Sequence, residues 1–317
     1  MKKKKGIIIA LLLITVIGTL LFFGVRSILF GGLQGPDIVG SVETFTYDKK
    51  DIPKEFGIDE DLVLKIYKPN NFDPNRKYPI IYLLDGDSLF EGAAGYLSEE
   101  LKNNPDAAAI LIGLGYGYYN SYLADFGKGR WRDYTFKEDE EFEDVANGPK
   151  FYDFLSEKLV PEMNKKFNGD FTNSTLIGHS CGGDFTFYAF LQYDPIKKEK
   201  NPFTNFIVGD GGDEAHFKDI WMPHFAETMN KKEGRAYAPL HFYRVYGYLV
   251  DPTNLHKVEE LHLWLENKNF ENISSHRYYP LKDDHAATMK TTIVNGIKIA
   301  LGDDSFKKYE DESSHRF

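Results

Sequence analysis

The chain has 317 residues, of which 42% are hydrophobic and 27% charged; that is the composition of a folded globular protein and excludes a disordered, collagen-like or disulfide-scaffold chain. The formal charge is -10, and because residues 1–35 hold five basic and no acidic side chains, residues 36–317 carry -15, a balance that disfavours nucleic acid and anionic membrane faces as partners. Cys181 is the only cysteine, which excludes an internal disulfide, a thiolate metal cluster and a lipidated cysteine near the start.

Four lysines, Lys2 to Lys5, precede residues 6–25, twenty uncharged and mostly apolar positions. As a helix they span about 30 Å, enough to cross a bilayer. The positive-inside bias puts residues 1–5 in the cytoplasm and everything after Arg26 outside it, which predicts a single-pass signal anchor in the cell membrane. A cleaved signal peptide would need small residues at a cleavage site, and Ala10 is the only alanine before Ala93. Residues 26–39 form a Gly-rich linker, 40–302 a single α/β domain and 303–317 a polar tail.

Within the domain, short β runs alternate with helical stretches, which predicts a mostly parallel sheet with helices on both faces. Strands are predicted at 40–47, 62–68, 78–84, 107–113, 173–178, 203–209, 239–247 and 273–280, the earliest ones as hairpin material. Helices are predicted at 93–103, 149–166, 182–193, 214–231, 253–268 and 286–300. The second opens on Pro149 and should be kinked by Pro161. The acidic run 138–144 reads as a solvated loop.

Gly178-His179-Ser180-Cys181-Gly182 fits G-x-S-x-G between a β run and a helical run. In that motif a sharp strand-to-helix turn lifts a serine hydroxyl above the sheet, and glycines at both ends avoid collisions. A serine hydroxyl needs a base, usually histidine, held by a carboxylate. In the α/β-hydrolase arrangement the order is Ser, acid, His. Of nine histidines, His285 alone follows the last strand and precedes the last helix, at the sheet edge where α/β sites form. The acid is expected after strand 239–247, where Asp251 is the only carboxylate between Arg235 and Glu259. A helix cap is the competing role of Asp251, which stands before Pro252. Asp213, Asp283 and Asp284 are the reserve acids. The oxyanion hole needs the Cys181 amide and a second amide from the turn Leu84-Asp85-Gly86-Asp87. Tyr116 could line a pocket, and Arg132 could grip an anionic substrate group. No zinc, EF-hand, P-loop or dinucleotide pattern appears, so neither metal nor cofactor is expected.

YPIIYLLDGDSLF, Arg132-Asp133-Tyr134-Thr135, KFYDFLSEKLVPEMNKKF, STLIGHSCGG and DDHAAT together resemble the putative-esterase family of α/β hydrolases, from about residue 40 to 300. The siderophore-esterase branch looks nearest. The resemblance implies Ser180 as nucleophile, His285 as base, and the amides of Cys181 and Asp87 as oxyanion donors. It also implies a carboxylic-ester hydrolase, with a siderophore-like or carbohydrate ester as substrate. An acyltransferase passing the acyl group to a sugar or lipid hydroxyl would use the same residues, and a non-catalytic binding module is the third alternative. Two departures stand out. Gly209-Asp210-Gly211-Gly212-Asp213 replaces the branch's Ser-rich, Trp-containing segment, and Phe136 replaces a proline after Asp-Tyr-Thr. In some members of the branch Ser and His act with no conventional acid.

Overall fold

The computed structural model describes residues 32–117, 128–138, 144–194, 201–212, 217–230, 240–245, 260, 262–270, 273–278, 280 and 284–303. The predicted anchor, residues 6–25, lies outside them. Among the described residues no helix is long and apolar enough to cross a membrane.

Eight strands form one sheet in the order β1-β2-β4-β3-β5-β6-β7-β8. They are β1 Ser41–Tyr47, β2 Leu62–Lys68, β3 Tyr78–Leu83, β4 Ile110–Gly115, β5 Gly169–His179, β6 Asn205–Gly209, β7 Leu240–Val245 and β8 Ile273–Tyr278. β1 with β2 and β2 with β4 are antiparallel, and every later pair is parallel. All eight predicted strands are present, and the hairpin reading fits the first pair.

The strand sequences explain the layers. β4 and β6, ILIGLG and NFIVG, are buried along their whole length, as interior strands covered on both faces must be. Alternate residues feed two cores. Ile80, Tyr82, Ile112, Leu176, Phe206 and Val208 join an aromatic-rich cluster with Phe185, Phe187 and Phe190 of the helix Cys181–Leu191. Ile81, Leu83, Leu111, Ile177 and Ile207 meet Leu89, Phe90, Ala93 and Leu97 of the helix Gly86–Asn103 and Ile293 and Ile297 of the helix His285–Ala300. Each fully buried large apolar side chain contributes about 1.5–3 kcal/mol, so this two-sided packing fixes the sheet that carries the turns described below.

Three helical features differ from the sequence reading. The helix before β4 starts at Gly86, seven residues earlier than predicted, because Asp85 takes a left-handed conformation (φ 55°) and turns the chain straight out of β3. The kink expected at Pro161 takes the form of a π-helical turn, Leu155–Leu159, between the helices Gly148–Phe154 and Val160–Phe167. Proline has no N–H to give to the carbonyl four residues back, and a wide turn absorbs the mismatch. The short helix Lys128–Asp133 had no predicted counterpart.

Candidate active site

β5 ends at His179, and Ser180 turns the chain into the helix Cys181–Leu191 with φ 59° and ψ -129°. A side chain held at positive φ costs about 1–3 kcal/mol and persists only where its surroundings over-determine it. Here the Ser180 amide donates to the Gly209 carbonyl at 2.8 Å, and the Asp184 amide donates to the Ser180 carbonyl at 2.9 Å. The glycine requirement is uneven. A Cβ at Gly178 would stand 1.9 Å from the Gly182 carbonyl oxygen, and one at Gly183 would stand 2.5 Å from that of Gly209. At Gly182 the nearest atom would be Asp85 Oδ2 at 3.2 Å, the end of a side chain. The strict demand therefore falls on 178 and 183 rather than on the two ends of the motif.

His285 opens the last helix, and its Nδ1 lies 3.2 Å from Oδ2 of Asp210. The same oxygen accepts a hydrogen bond from the Thr288 hydroxyl at 2.6 Å. The acid's side chain is 1% exposed and the histidine's 45%, so the carboxylate is sealed while the imidazole is reachable. An acid on Nδ1 keeps the proton there and leaves Nε2 with its lone pair.

Asp210 follows β6, one strand earlier than the position expected for the acid. Its amide donates to the Val245 carbonyl at 2.8 Å, and its φ of 40° turns the side chain out of the strand line. Asp184, on the serine's own helix, accepts the Gly212 amide at 2.5 Å, so the loop 209–212 is tied to the serine turn at both ends. Asp251, the expected acid, lies outside the described residues, as do Asp213 and Asp283. Asp284 is the N-cap of the last helix, its Oδ1 accepting the Ala287 amide at 2.9 Å. The pairing of Asp210 with His285 had a signal in the sequence: an aspartate flanked by glycines directly after a predicted strand, and a threonine three residues past the candidate histidine.

The two turns expected to supply oxyanion donors lie side by side, because β3 and β5 are neighbouring parallel strands. Cys181 and Asp87 each sit in the first turn of a helix, where backbone N–H groups have no partner within the helix. Such amides are ready donors to developing negative charge. The Asp87 carboxylate accepts the Tyr116 amide at 2.6 Å and the Gly117 amide at 3.1 Å, tying the turn after β3 to the end of β4. Asp85 binds Arg130 through Nε at 2.7 Å and Nη2 at 3.3 Å. Burial pushes the Cys181 thiol up to about 11, with the nearby Arg130 charge opposing.

Arg132 and Tyr116 both reach the carboxylate of Asp133. The fully buried Asp133 carboxylate takes Arg132 Nε and Nη2, both at 2.8 Å, and the Tyr116 hydroxyl at 2.9 Å. Asn147 Nδ2 adds a contact at 3.3 Å, and Arg132 also pairs with Asp59. These contacts form a polar knot around the Asp133 carboxylate.

His179, the variable position of the motif, is buried beneath the base, with ring centroids 4.6 Å apart from His285. Burial, and then the charge of His285, pushes its imidazole down to about 3. Among the described residues neither of its ring nitrogens has a hydrogen-bond partner. Ligand atoms of His179, Asp210 and His285 all lie within 4.8 Å of one another.

Residues 57–195 match the family described as Putative esterase. The likeness drawn from the motifs is to that family. The matched span contains the serine turn and Asp87, and it ends before Asp210 and His285. The ferri-bacillibactin esterase BesA of Bacillus subtilis is 27% identical over 161 residues, 45% of this chain and 51% of that protein. The apo-salmochelin esterase of Escherichia coli O6:H1 is 26% identical over 132 residues, 39% of this chain and 40% of that protein. The chain thus spans about half or less of the length of these curated relatives. The solved structure of BES protein from Bacillus cereus superposes with a TM-score of 0.66 at 20% identity, covering 85% of this chain and 99% of that one. At that identity the likeness is one of fold, a mostly parallel sheet with helices on both faces.

Proposed function

We propose that this chain is a serine esterase that cleaves carboxylic esters through an acyl-enzyme, with siderophore esters as its substrate class. The observation that carries the reading is the pairing of His285 with the buried Asp210, on the loop that also holds the serine turn. Asp210 keeps the Nδ1 proton in place, so His285 Nε2 takes the Ser180 proton as Oγ attacks the ester carbonyl. The resulting imidazolium is stabilised by the carboxylate. The oxyanion is held by the Cys181 amide and by a first-turn amide of the 86–103 helix, Asp87. His285 then protonates the departing alcohol, and water repeats the sequence to release the acid. The names of the two curated relatives support the siderophore class, and the Putative esterase match supports the ester bond. Lys2 to Lys5 and the apolar residues 6–25 support a membrane-anchored, extracytoplasmic placement.

The test is hydrolysis of a panel containing trilactone siderophores, their ferric complexes, aryl acetates and acetylated sugars, with and without alcohol acceptors. Preferred release of acid from the siderophore esters supports the reading. Transfer of acyl groups to the acceptors in place of water, or turnover confined to sugar esters, contradicts it.

A further inference from the structure

The imidazole of His179 is a buried polar group that the proposed reaction does not use. It is 2% exposed and sits on the last residue of β5, with no hydrogen bond to either nitrogen among the described residues. A backbone group of His285 faces the ring, outside ordinary hydrogen-bond geometry. Leaving such a group unsatisfied costs about 1–3 kcal/mol, so a buried side chain in that state calls for an explanation. Its neighbours supply one. Two imidazoles and a carboxylate are a ligand set that zinc favours, with a fourth position left for water. Ligands about 2.0–2.1 Å from a tetrahedral ion stand about 3.3 Å apart, and His285 Nδ1 and Asp210 Oδ2 are 3.2 Å apart. The His179 ligand atom lies within 4.8 Å of both, so a modest turn of its ring completes the set. The partly exposed His285 side chain gives the ion a way in. The sequence carries no zinc-type spacing because the three ligands sit on three separate turns, at 179, 210 and 285.

We infer that His179, Asp210 and His285 form a reversible zinc site whose occupation switches the serine off. Zinc on His285 Nδ1 moves the ring proton to Nε2, so the imidazole has no lone pair for the Ser180 proton. No redox change or added reactant is involved, and release of the ion restores the catalytic tautomer. The inhibition rests on the esterase reading, while the binding does not.

The experiment titrates the full-length chain with Zn²⁺ by equilibrium dialysis and with Co²⁺ by visible absorption, alongside His179→Gln and Asp210→Asn. Labelling by a fluorophosphonate is followed at each metal concentration. The inference expects one ion per chain, an intense tetrahedral Co²⁺ band, and suppression of labelling that chelator reverses. Each variant should weaken binding by about tenfold or more. Binding that is absent, or equally tight in both variants, overturns the site even if labelling shows an active serine. A site that binds as expected while the metal-free chain takes no label would retain the zinc assignment and refute the esterase reading instead. If His179→Gln does not fold, Asp210→Asn decides by the same dialysis.

Discussion

Thr288 and His285, three residues apart on one helix, reach the same oxygen of Asp210, at 2.6 Å and 3.2 Å. The helix therefore holds the Asp210 carboxylate with one side chain while placing an imidazole against it with another. Asp210→Asn should lower kcat by about 10⁴, because an amide no longer holds the imidazole in the working tautomer. Asp251→Asn and Asp284→Asn should leave kcat near that of the unaltered chain. Steady-state kinetics on all three variants, with a thermal midpoint for each, checks this; retained activity in Asp210→Asn with a loss at Asp251→Asn would return the role of acid to Asp251.

Thr288→Val removes one donor from the buried carboxylate and leaves the histidine in place. It should cost about 1 kcal/mol of stability, the ordinary net worth of a hydrogen bond, and up to about 3 kcal/mol if the acid loses its needed partner. Urea unfolding of the variant reads the difference, and an unchanged midpoint would mean that the hydroxyl contributes nothing there.

Gly183→Ala and Gly182→Ala should separate, although the two residues are adjacent on one helix. At 183 the new methyl group meets the Gly209 carbonyl, and overpacking of that kind costs about 1–3 kcal/mol. At 182 the methyl group meets only the end of the Asp85 side chain, and the gain in helix propensity of about 1 kcal/mol offsets the crowding. Chemical denaturation of the pair would contradict the account if the order were reversed.

Asp133→Ala tests the polar knot. It removes the carboxylate that binds Arg132 and Tyr116 and leaves a buried guanidinium short of partners, a loss of about 3–5 kcal/mol for a broken buried pair. The folded fraction should keep its KM within a few-fold, because neither side chain is then a substrate contact. A large rise in KM with stability unchanged would give Arg132 back to the substrate.

The Cys181 thiol, raised to about 11 by burial, should stay protonated at neutral pH. Iodoacetamide at pH 8 should leave the native chain unmodified for hours and alkylate it promptly in urea, since the thiolate is the reactive form. Native reactivity should appear only as the pH approaches the raised value. Rapid alkylation of the native chain at pH 8 would show that the thiol is not raised.

The strands were legible because alternation and β-branched runs report burial directly, and the turns at Ser180 and His285 were legible because each follows a strand and precedes a helix. The pairing of His285 with Asp210 was not, since it depends on which strand's loop wraps the serine turn. That wrapping is made by Ser180 donating to Gly209 and Gly212 donating to Asp184, contacts between segments far apart in sequence. Nothing in the sequence shows that Asp133, the neighbour of Arg132, is fully buried and binds the guanidinium. The early start of the 86–103 helix was missed because Asp85 adopts the left-handed conformation usually left to glycine.

The central claim, that Ser180 is a nucleophile activated by His285 and Asp210, is tested most directly by fluorophosphonate labelling followed by peptide mass spectrometry. The account predicts a single phosphonylated residue, Ser180, with labelling abolished in Ser180→Ala and kcat reduced about a millionfold, while the thermal midpoint stays close to that of the unaltered chain. Label on another residue, or undiminished labelling and turnover in Ser180→Ala, would contradict it.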